Sequence, residues 1–549
     1  MIEFLTTYLA PIMFGSLVLF LLLGFPVAFT LSAVGIIFGF IGIELGLFTP
    51  NFLQALPERV FGIMSNETLL AIPFFTFMGL ILERSRMAED LLDTMGQLLG
   101  PVRGGLALAV VFVGALMAAT TGVVAAAVIS MGLISLPIML RYGYDQRLAT
   151  GVIMASGTLA QIIPPSLVLI VLADTLGRSV GDFYQGAIVP GLMLVGLYFI
   201  YIIILTTFRP SYGPPLPPEA RTLKGGYASL AVMLLLSVAV GFAVTLWITP
   251  LVEQAPEVYG SAAAVIFALV CALLNDALRL PILSKTCTQV IKVLVPPLAL
   301  IFLVLGTIFI GLATPTEGGA MGATGALVLA ALNGRLKFGL VKQAAESTLK
   351  LSAFVLFILI GARVFALTFY GINGHVWMKE LLLSLPGGVV GFLLFTNLVV
   401  FILGMFIDFF EIAFILMPLL VFPAEALGID IVWFGVIMAM NMQTSFLTPP
   451  FGFALFYLRS VAPSEAYKDK VTQQIIQGIQ TTTLYRAVLP FIGLQLIMVL
   501  VIAFFPGLVT HYRDAERKVD PSEVQRQIDN IQIPGLGDPP PPIFLPTPK

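Results

Sequence analysis

The chain has 549 residues, 58% of them apolar and 11% charged, with a mean hydropathy of +1.02, far more apolar than an ordinary water-soluble domain. Lys+Arg 28 against Asp+Glu 30 leave a net charge of -2, so no basic excess points to nucleic acid. Two cysteines (Cys271, Cys287) and two histidines (His375, His511) are too few for a disulfide framework or a His/Cys metal centre, and the composition argues against a soluble multidomain enzyme.

Lipid is therefore the expected solvent for most of the chain. The start, MIEFLTTYLAPIMF, lacks the basic region and cleavage site of a secretory signal, so the first apolar run is expected to remain in the mature protein. Charge-free stretches at 104 to 140, 148 to 173, 183 to 208, 225 to 252, 258 to 274, 293 to 316, 381 to 407, 431 to 458 and 487 to 510 are mostly long enough to cross about 30 Å of hydrocarbon. Breaks are predicted at Gly24-Phe25-Pro26, Thr120-Thr121-Gly122 and Thr314-Pro315-Thr316. Splitting there gives about sixteen helical segments, some re-entrant rather than spanning. Arg and Lys collect in loops 84 to 103, 141 to 147, 209 to 224, 279 to 292, 335 to 350 and 459 to 470, which places those loops in the cytoplasm. Loops 249 to 257 and 422 to 430 carry acids but no cation and go outside, with both termini.

An internal repeat organises the chain. GVIMA occurs at 151 to 155 and at 435 to 439, each followed by a proline pair, Pro164-Pro165 and Pro449-Pro450, while Gly24 and Gly35 match Gly311 and Gly322. The copies begin on opposite sides of the membrane, so the repeat is inverted, as in many secondary transporters. The predicted organisation is a first repeat at 1 to 208, a linker with two extra transmembrane helices at 209 to 292, a second repeat at 293 to 506 and a polar, Pro-rich tail at 507 to 549. Within the linker, PSYGPPLPP (210 to 218) reads as the joint between the halves. The tail reads as a short helix and a flexible, polyproline-like end.

The chemistry is expected at matched interruptions. In the first copy, Ser156, Gly157 and Thr158 fall near the midplane before Gln161, and Pro164 with Pro165 frees the carbonyls of residues 160 to 163. The second copy repeats this with Asn441, Gln443, Thr444 and Ser445, then Thr448, Pro449 and Pro450. Freed carbonyls and hydroxyls are hard oxygen ligands for a small cation, although a kink satisfied by water would use the same residues. Stretches 104 to 140 and 381 to 421 begin and end on one side and read as re-entrant hairpins. The first tip is Thr120, Thr121 and Gly122; the second lies near Gly404, Phe406 and Asp408. An intramembrane Asp408 is either functional or an interfacial carboxylate with Glu411 one turn on. Arg363, in the otherwise apolar stretch 351 to 373, suits a substrate carboxylate, but snorkelling or a pair with Glu317 or Asp408 accounts for it more simply. Glu317, in ATPTEGG, is expected to have a structural or gating role.

These residues resemble the large membrane subunit of the tripartite ATP-independent periplasmic (TRAP) transporters. The motifs are GFPVAFTLSAVG (24 to 35), AIPFFTFMGLILERS (71 to 85), TTGVVAAAVISMGLISLPIMLRYGYD (120 to 145), ASGTLAQIIPPSLVLI (155 to 170), GLATPTEGGAMG (311 to 322), GMFIDFFEIAFILMP (404 to 418) and MNMQTSFLTPPFGFALF (440 to 456). The resemblance implies an all-α polytopic inner-membrane protein of bacteria, an inverted-repeat elevator-type transporter with two re-entrant hairpins and two proline-broken helices. It implies import of an organic acid driven by two or more sodium ions, with an extracytoplasmic substrate-binding protein and a small four-helix membrane subunit as partners. Sodium and substrate sites then map onto Thr120 to Val123, Ser156 to Pro165, Asp408 and Asn441 to Pro450. Substrate contacts are expected at Gln161, Ser166, Arg363 and Ser445. The family usually has Ser-Gly-Ser where this chain has Thr120, Thr121 and Gly122, which alters the hydroxyl pattern at the first tip. A stand-alone divalent-anion symporter and, more remotely, a polytopic membrane enzyme are the alternatives.

Overall fold

The structure, a computed structural model, describes residues 2–512 except 224, 253–255, 279–281 and 470, and no side chains at 2, 3, 22 and 121. The tail from 513 onward and the Thr121 hydroxyl lie outside the described residues. Among the described residues, regular structure apart from one two-residue strand pair is helical, and ten helices are long and apolar enough to cross a membrane.

The predicted breaks are present. Ile2–Leu22 ends before Gly24, whose φ of +82° suits a residue without Cβ, and Val27–Glu44 resumes at Pro26. In the second repeat Lys285–Phe309 ends before Gly311, at φ +69°, and Pro315–Leu332 resumes behind Thr314. Between these two breaks lie Val27–Glu44, the bent span ending at Arg84, the first broken helix, Val180–Phe208, Tyr227–Ile248, Pro256–Ala277 and Lys285–Phe309. That number of crossings is odd, so the breaks face opposite sides.

The halves interlock by exchanging equivalent helices. Val27–Glu44 packs on Phe338–Gly371, and its counterpart Pro315–Leu332 packs on Ala71–Arg84. The matched glycines allow the approach: a Cβ on Gly35 would meet the Val364 carbonyl oxygen at 2.8 Å, and one on Gly322 the Met78 sulfur at 2.5 Å. In lipid, close packing through small residues replaces the hydrophobic drive that water would supply. The GVIMA glycines act alike one layer further in. A Cβ on Gly151 would lie 2.5 Å from the Ala487 carbonyl oxygen on Thr481–Phe504, and one on Gly435 would lie 2.5 Å from the Phe183 ring on Val180–Phe208. Each broken helix thus leans on the last helix of the other repeat.

One expectation needs correction, and two features went unpredicted. The second hairpin is not 381 to 421: residues 381 to 383 belong to the separate helix Gly374–Leu383, which meets Gly388–Leu403 at 115° through a turn in which Gly387 has φ +93°. A further break went unpredicted, at Ser65 and Asn66, where Phe52–Met64 and Glu67–Arg84 meet at 50°. Asn66 caps the lower segment by accepting from the Thr68 amide at 3.0 Å. PSYGPPLPP, expected as the joint between the halves, is also a strap bonded to the first repeat: Gly104 donates to the Gly213 carbonyl (2.8 Å), Asp145 to the Tyr212 carbonyl (3.0 Å) and Leu216 to the Gly100 carbonyl (2.7 Å). Prolines lack amide donors but keep their carbonyls, so a Pro-rich stretch can still be tied down.

Candidate functional site

Two hairpins hold the breaks. Gly105–Thr121 and Val124–Arg141 form the first around a tip at Gly122, φ +59°. Gly388–Leu403 and the segment Phe409–Glu411, Ile412–Leu416 and Met417–Ala426 form the second, with a π-turn at Ile412–Leu416 where Pro418 cannot bond back to Phe414. Each tip sits on the break of its own repeat. A Cβ on Gly122 would lie 3.1 Å from Leu167 Cγ and 3.7 Å from the Pro165 carbonyl oxygen, and one on Gly404 would lie 2.5 Å from Ser445 Oγ. The Phe406 and Phe451 rings, 5.0 Å apart, extend the second contact.

The first broken helix runs as Gln146–Thr158, the tight turn Leu159–Gln161, a non-helical stretch to Ser166 and Leu167–Thr175. The second runs as Ile431–Leu447, residues 448 to 452 and Phe453–Val461. Both proline pairs are cis. Pro164 and Pro165 offer no amide hydrogen to the carbonyls of Ala160 and Gln161. The freeing is incomplete: the Gln161 carbonyl accepts from the Ser166 hydroxyl at 2.9 Å, and the Ser445 carbonyl from the Thr448 amide at 3.0 Å.

The hydroxyls share one habit. Thr120 donates to the Met117 carbonyl (3.0 Å), Ser156 to Val152 (2.5 Å), Thr158 to Ala155 (2.9 Å), Thr444 to Met440 (3.0 Å), Ser445 to Asn441 (3.0 Å) and Thr448 to Thr444 (2.9 Å). A hydroxyl whose hydrogen is bound to a helix carbonyl presents lone pairs, which suit a cation better than a carboxylate. The hydrogens of Ser166 and Ser445, expected at the substrate, are directed to backbone instead. Gln161 differs, since both atoms of its fully buried amide lack a protein partner among the described residues.

The two breaks meet. Gln443 donates its side-chain amide to Thr158 Oγ1 at 3.4 Å, and Gln495 donates to the same oxygen at 3.3 Å and to the Tyr198 hydroxyl at 2.8 Å. All four side chains are fully buried. Tyr198 and Gln495 escaped the sequence analysis; Gln495 was a lone polar letter in a long apolar run, and Tyr198 was one of three tyrosines in the stretch 183 to 208. Asn397, also missed, accepts from Asn441 Nδ2 through its carbonyl at 2.6 Å and its side chain at 3.1 Å, joining hairpin to broken helix. Gly157 packs against Val128 of the first hairpin, its Cβ position 3.2 Å from the Val128 amide nitrogen.

Asp408 and Glu317 lie in helix caps. Asp408 accepts from the Phe410 amide (3.1 Å) while its own amide donates to Glu411 (3.1 Å), a reciprocal cap on the returning arm. Thr314 and Glu317 make the equivalent cap at the outer break. Neither pairs with Arg363, which has no ion pair among the described residues and lines two cavities whose walls contain no residue of either break. The structure therefore does not bring Arg363 together with Gln161, Ser166 and Ser445. At the cytoplasmic end, Arg141 of the first hairpin holds Asp469 at 3.1 Å, in the turn between Tyr467–Lys468 and Ile475–Ile476. The Thr472 amide and hydroxyl, with that guanidinium, bring the Asp469 carboxyl down to about 2.

The profile of the family described as the tripartite ATP-independent periplasmic transporter, DctM component, matches residues 14–282 and 279–508. The chain belongs to this DctM family. It is similar to the C4-dicarboxylate TRAP transporter large permease protein DctM of Pseudomonas aeruginosa, 29% identical over 84% of this chain and 90% of that one. It is also similar to the isethionate TRAP transporter permease protein DctMQ of Oleidesulfovibrio alaskensis, 25% identical over 91% of this chain and 65% of that longer one. In fold it is similar to the Alcanivorax borkumensis YdaH transporter, with a TM-score of 0.50 at 16% identity over 84% of this chain and 90% of that one. Membership makes this DctM-family protein a multi-pass inner-membrane transporter subunit rather than an enzyme. Such a subunit works with a substrate-binding protein and a small membrane subunit.

Proposed function

We propose that this permease subunit imports an organic acid against its gradient by coupling it to the entry of at least two sodium ions. An extracytoplasmic binding protein delivers the acid, and a small four-helix subunit braces the complex. One observation carries the reading: each hairpin tip rests on the break of its own repeat, and the breaks join through Thr158 and Gln443. Two matched sites of hydroxyl lone pairs and loosened carbonyls, in a buried polar centre otherwise made of hydrocarbon, suit two small cations. The first site would draw on Thr120, Thr121, Gly122, Ser156, Gly157, Thr158 and Pro164. The second would draw on Asn441, Gln443, Thr444, Thr448 and Pro449, with Asp408 supplying negative charge close by. The unpartnered Gln161 amide offers the N–H donors that a carboxylate needs.

The moving unit consists of both hairpins and both broken helices with their closing helices. Its scaffold is the exchanged pairs built on Gly35 and Gly322. Few polar links cross between them: Ser130 donates to Glu83 at 2.5 Å near the inner side, and Asn66 donates to Asp174 at 2.7 Å near the outer side. Sparse links over an apolar seam favour an elevator-like sliding motion. The test is uptake of a tagged organic acid by the reconstituted three-part complex under an inward sodium gradient. The reading expects accumulation that vanishes when the gradient is collapsed; unchanged accumulation would remove the coupling.

A further inference from the structure

Arg363 lies eight residues before the outer end of Phe338–Gly371, about 12 Å along the helix axis, within the expected depth of the outer leaflet. A guanidinium at that depth is costly unless it faces water, a counter-charge or a ligand. Two cavities flank it. One, of about 640 Å3, is walled by the outer half-helix Leu56–Met64 through Glu58 and Arg59, by Asn66 at the bend and by Leu359. The other, of about 240 Å3, is walled by Tyr370 on the same scaffold helix, and by Phe414, Pro418 and Thr175 of the proposed moving unit. Leu359 and Arg363 belong to both walls. Across the two walls there are two guanidinium groups and one carboxylate, and among the described residues neither Arg59 nor Arg363 makes an ion pair. The two guanidinium groups, unpaired among the described residues, sit where the scaffold's bent span and the moving unit adjoin, next to the Asn66 to Asp174 hydrogen bond that joins them.

We propose that Arg59 and Arg363 form an anion-receiving site on the scaffold, which holds the carboxylate or sulfonate of the cargo after the receptor releases it and before the moving unit takes it. The proposal rests on the transport reading above and adds to it a stationary site separate from the breaks. Arg363 is the deeper group, poised to pass the anion across the seam; Arg59, exposed on the outer half-helix, gathers it from the aqueous side. Because both residues are fixed to the scaffold, the site does not require sodium, whereas a cargo site formed by the breaks would.

The experiment is equilibrium binding of radiolabelled succinate, and separately of isethionate, to the whole complex in nanodiscs without sodium or receptor. Binding of at least one acid is expected. Arg363→Gln and Arg59→Gln should each weaken it about tenfold, the scale of a lost hydrogen bond to a charged group, and Arg363→Lys should recover part of the loss. Both arginines are exposed, so both variants are expected to fold, and each tests the site independently. No sodium-free binding of either acid, or binding indifferent to both substitutions, would overturn the proposal. So would weaker docking of the empty receptor to the Arg59→Gln complex, which would make the arginine a protein contact. Sodium-independent uptake, by contrast, would defeat the coupling reading and leave this site standing.

Discussion

Thr158→Val removes one hydroxyl at the meeting point of the two repeats, and its cost can be worked from the contacts. Gln495 loses a bond of 3.3 Å but keeps Tyr198 at 2.8 Å. Gln443 loses a bond of 3.4 Å and keeps only its side-chain contact with Tyr198, since its Oε1 is already unpaired among the described residues. Polar bonds between membrane helices average about 0.6 kcal/mol, and a stranded buried donor costs about 1–3 kcal/mol. Since both bonds are long, the expected loss is about 1–2 kcal/mol. Thr444→Val breaks only a bond to the Met440 carbonyl on its own helix, so its expected cost stays within about 0.5 kcal/mol. Equilibrium unfolding in mixed detergent micelles measures both. A double-mutant cycle of Thr158→Val with Gln443→Leu should give a coupling near 0.6 kcal/mol. Equal costs for the two valines, or strictly additive losses in the cycle, would refute the claim that Thr158 joins the repeats.

The same two valine variants should raise the sodium concentration for half-maximal uptake, and wild-type sodium dependence in both would remove the assigned ligands. Gly151→Ala places a methyl 2.5 Å from the Ala487 carbonyl oxygen and should destabilise by about 1–3 kcal/mol through overpacking, whereas Gly62→Ala, with nothing within 4 Å, should be neutral or gain up to about 1 kcal/mol; thermal unfolding separates them. Asp469 binds its proton more weakly when folded, so its contribution is complete above the usual carboxylate value of about 3.9 and fades as the pH falls from there through about 2. Pepsin should therefore spare loop 463 to 480 at pH 4 and cut it increasingly toward pH 2; no change across that range would contradict the tether.

Much of this architecture is legible in the residues because lipid leaves the backbone few choices. A proline or glycine in an apolar run can mark a break, as Gly24, Gly311, Pro164 and Pro449 do, whereas Pro190 and the pair Pro296-Pro297 stay inside helices. The break at Ser65 and Asn66 was hidden because neither residue interrupts a helix by covalent geometry; its cause is the Asn66 cap, for which the polar run SNET was the available signal. The start of the second hairpin was misplaced because Leu381, Leu382 and Leu383, the last residues of Gly374–Leu383, continue without a charge into the arm that follows, and the glycines at 387 and 388 mark the turn. At the site, identity was readable and partnership was not. That Gln443 reaches Thr158 across 285 positions, or that Arg363 stands apart from Glu317 and Asp408, depends on how the repeats interlock.

Coupling itself is measured most directly by following radiolabelled sodium and tagged acid together into proteoliposomes that contain the full complex and loaded receptor. The account predicts that at least two sodium ions enter with each acid and that both fluxes stop together when the sodium gradient is abolished. Acid accumulating with no accompanying sodium would contradict it.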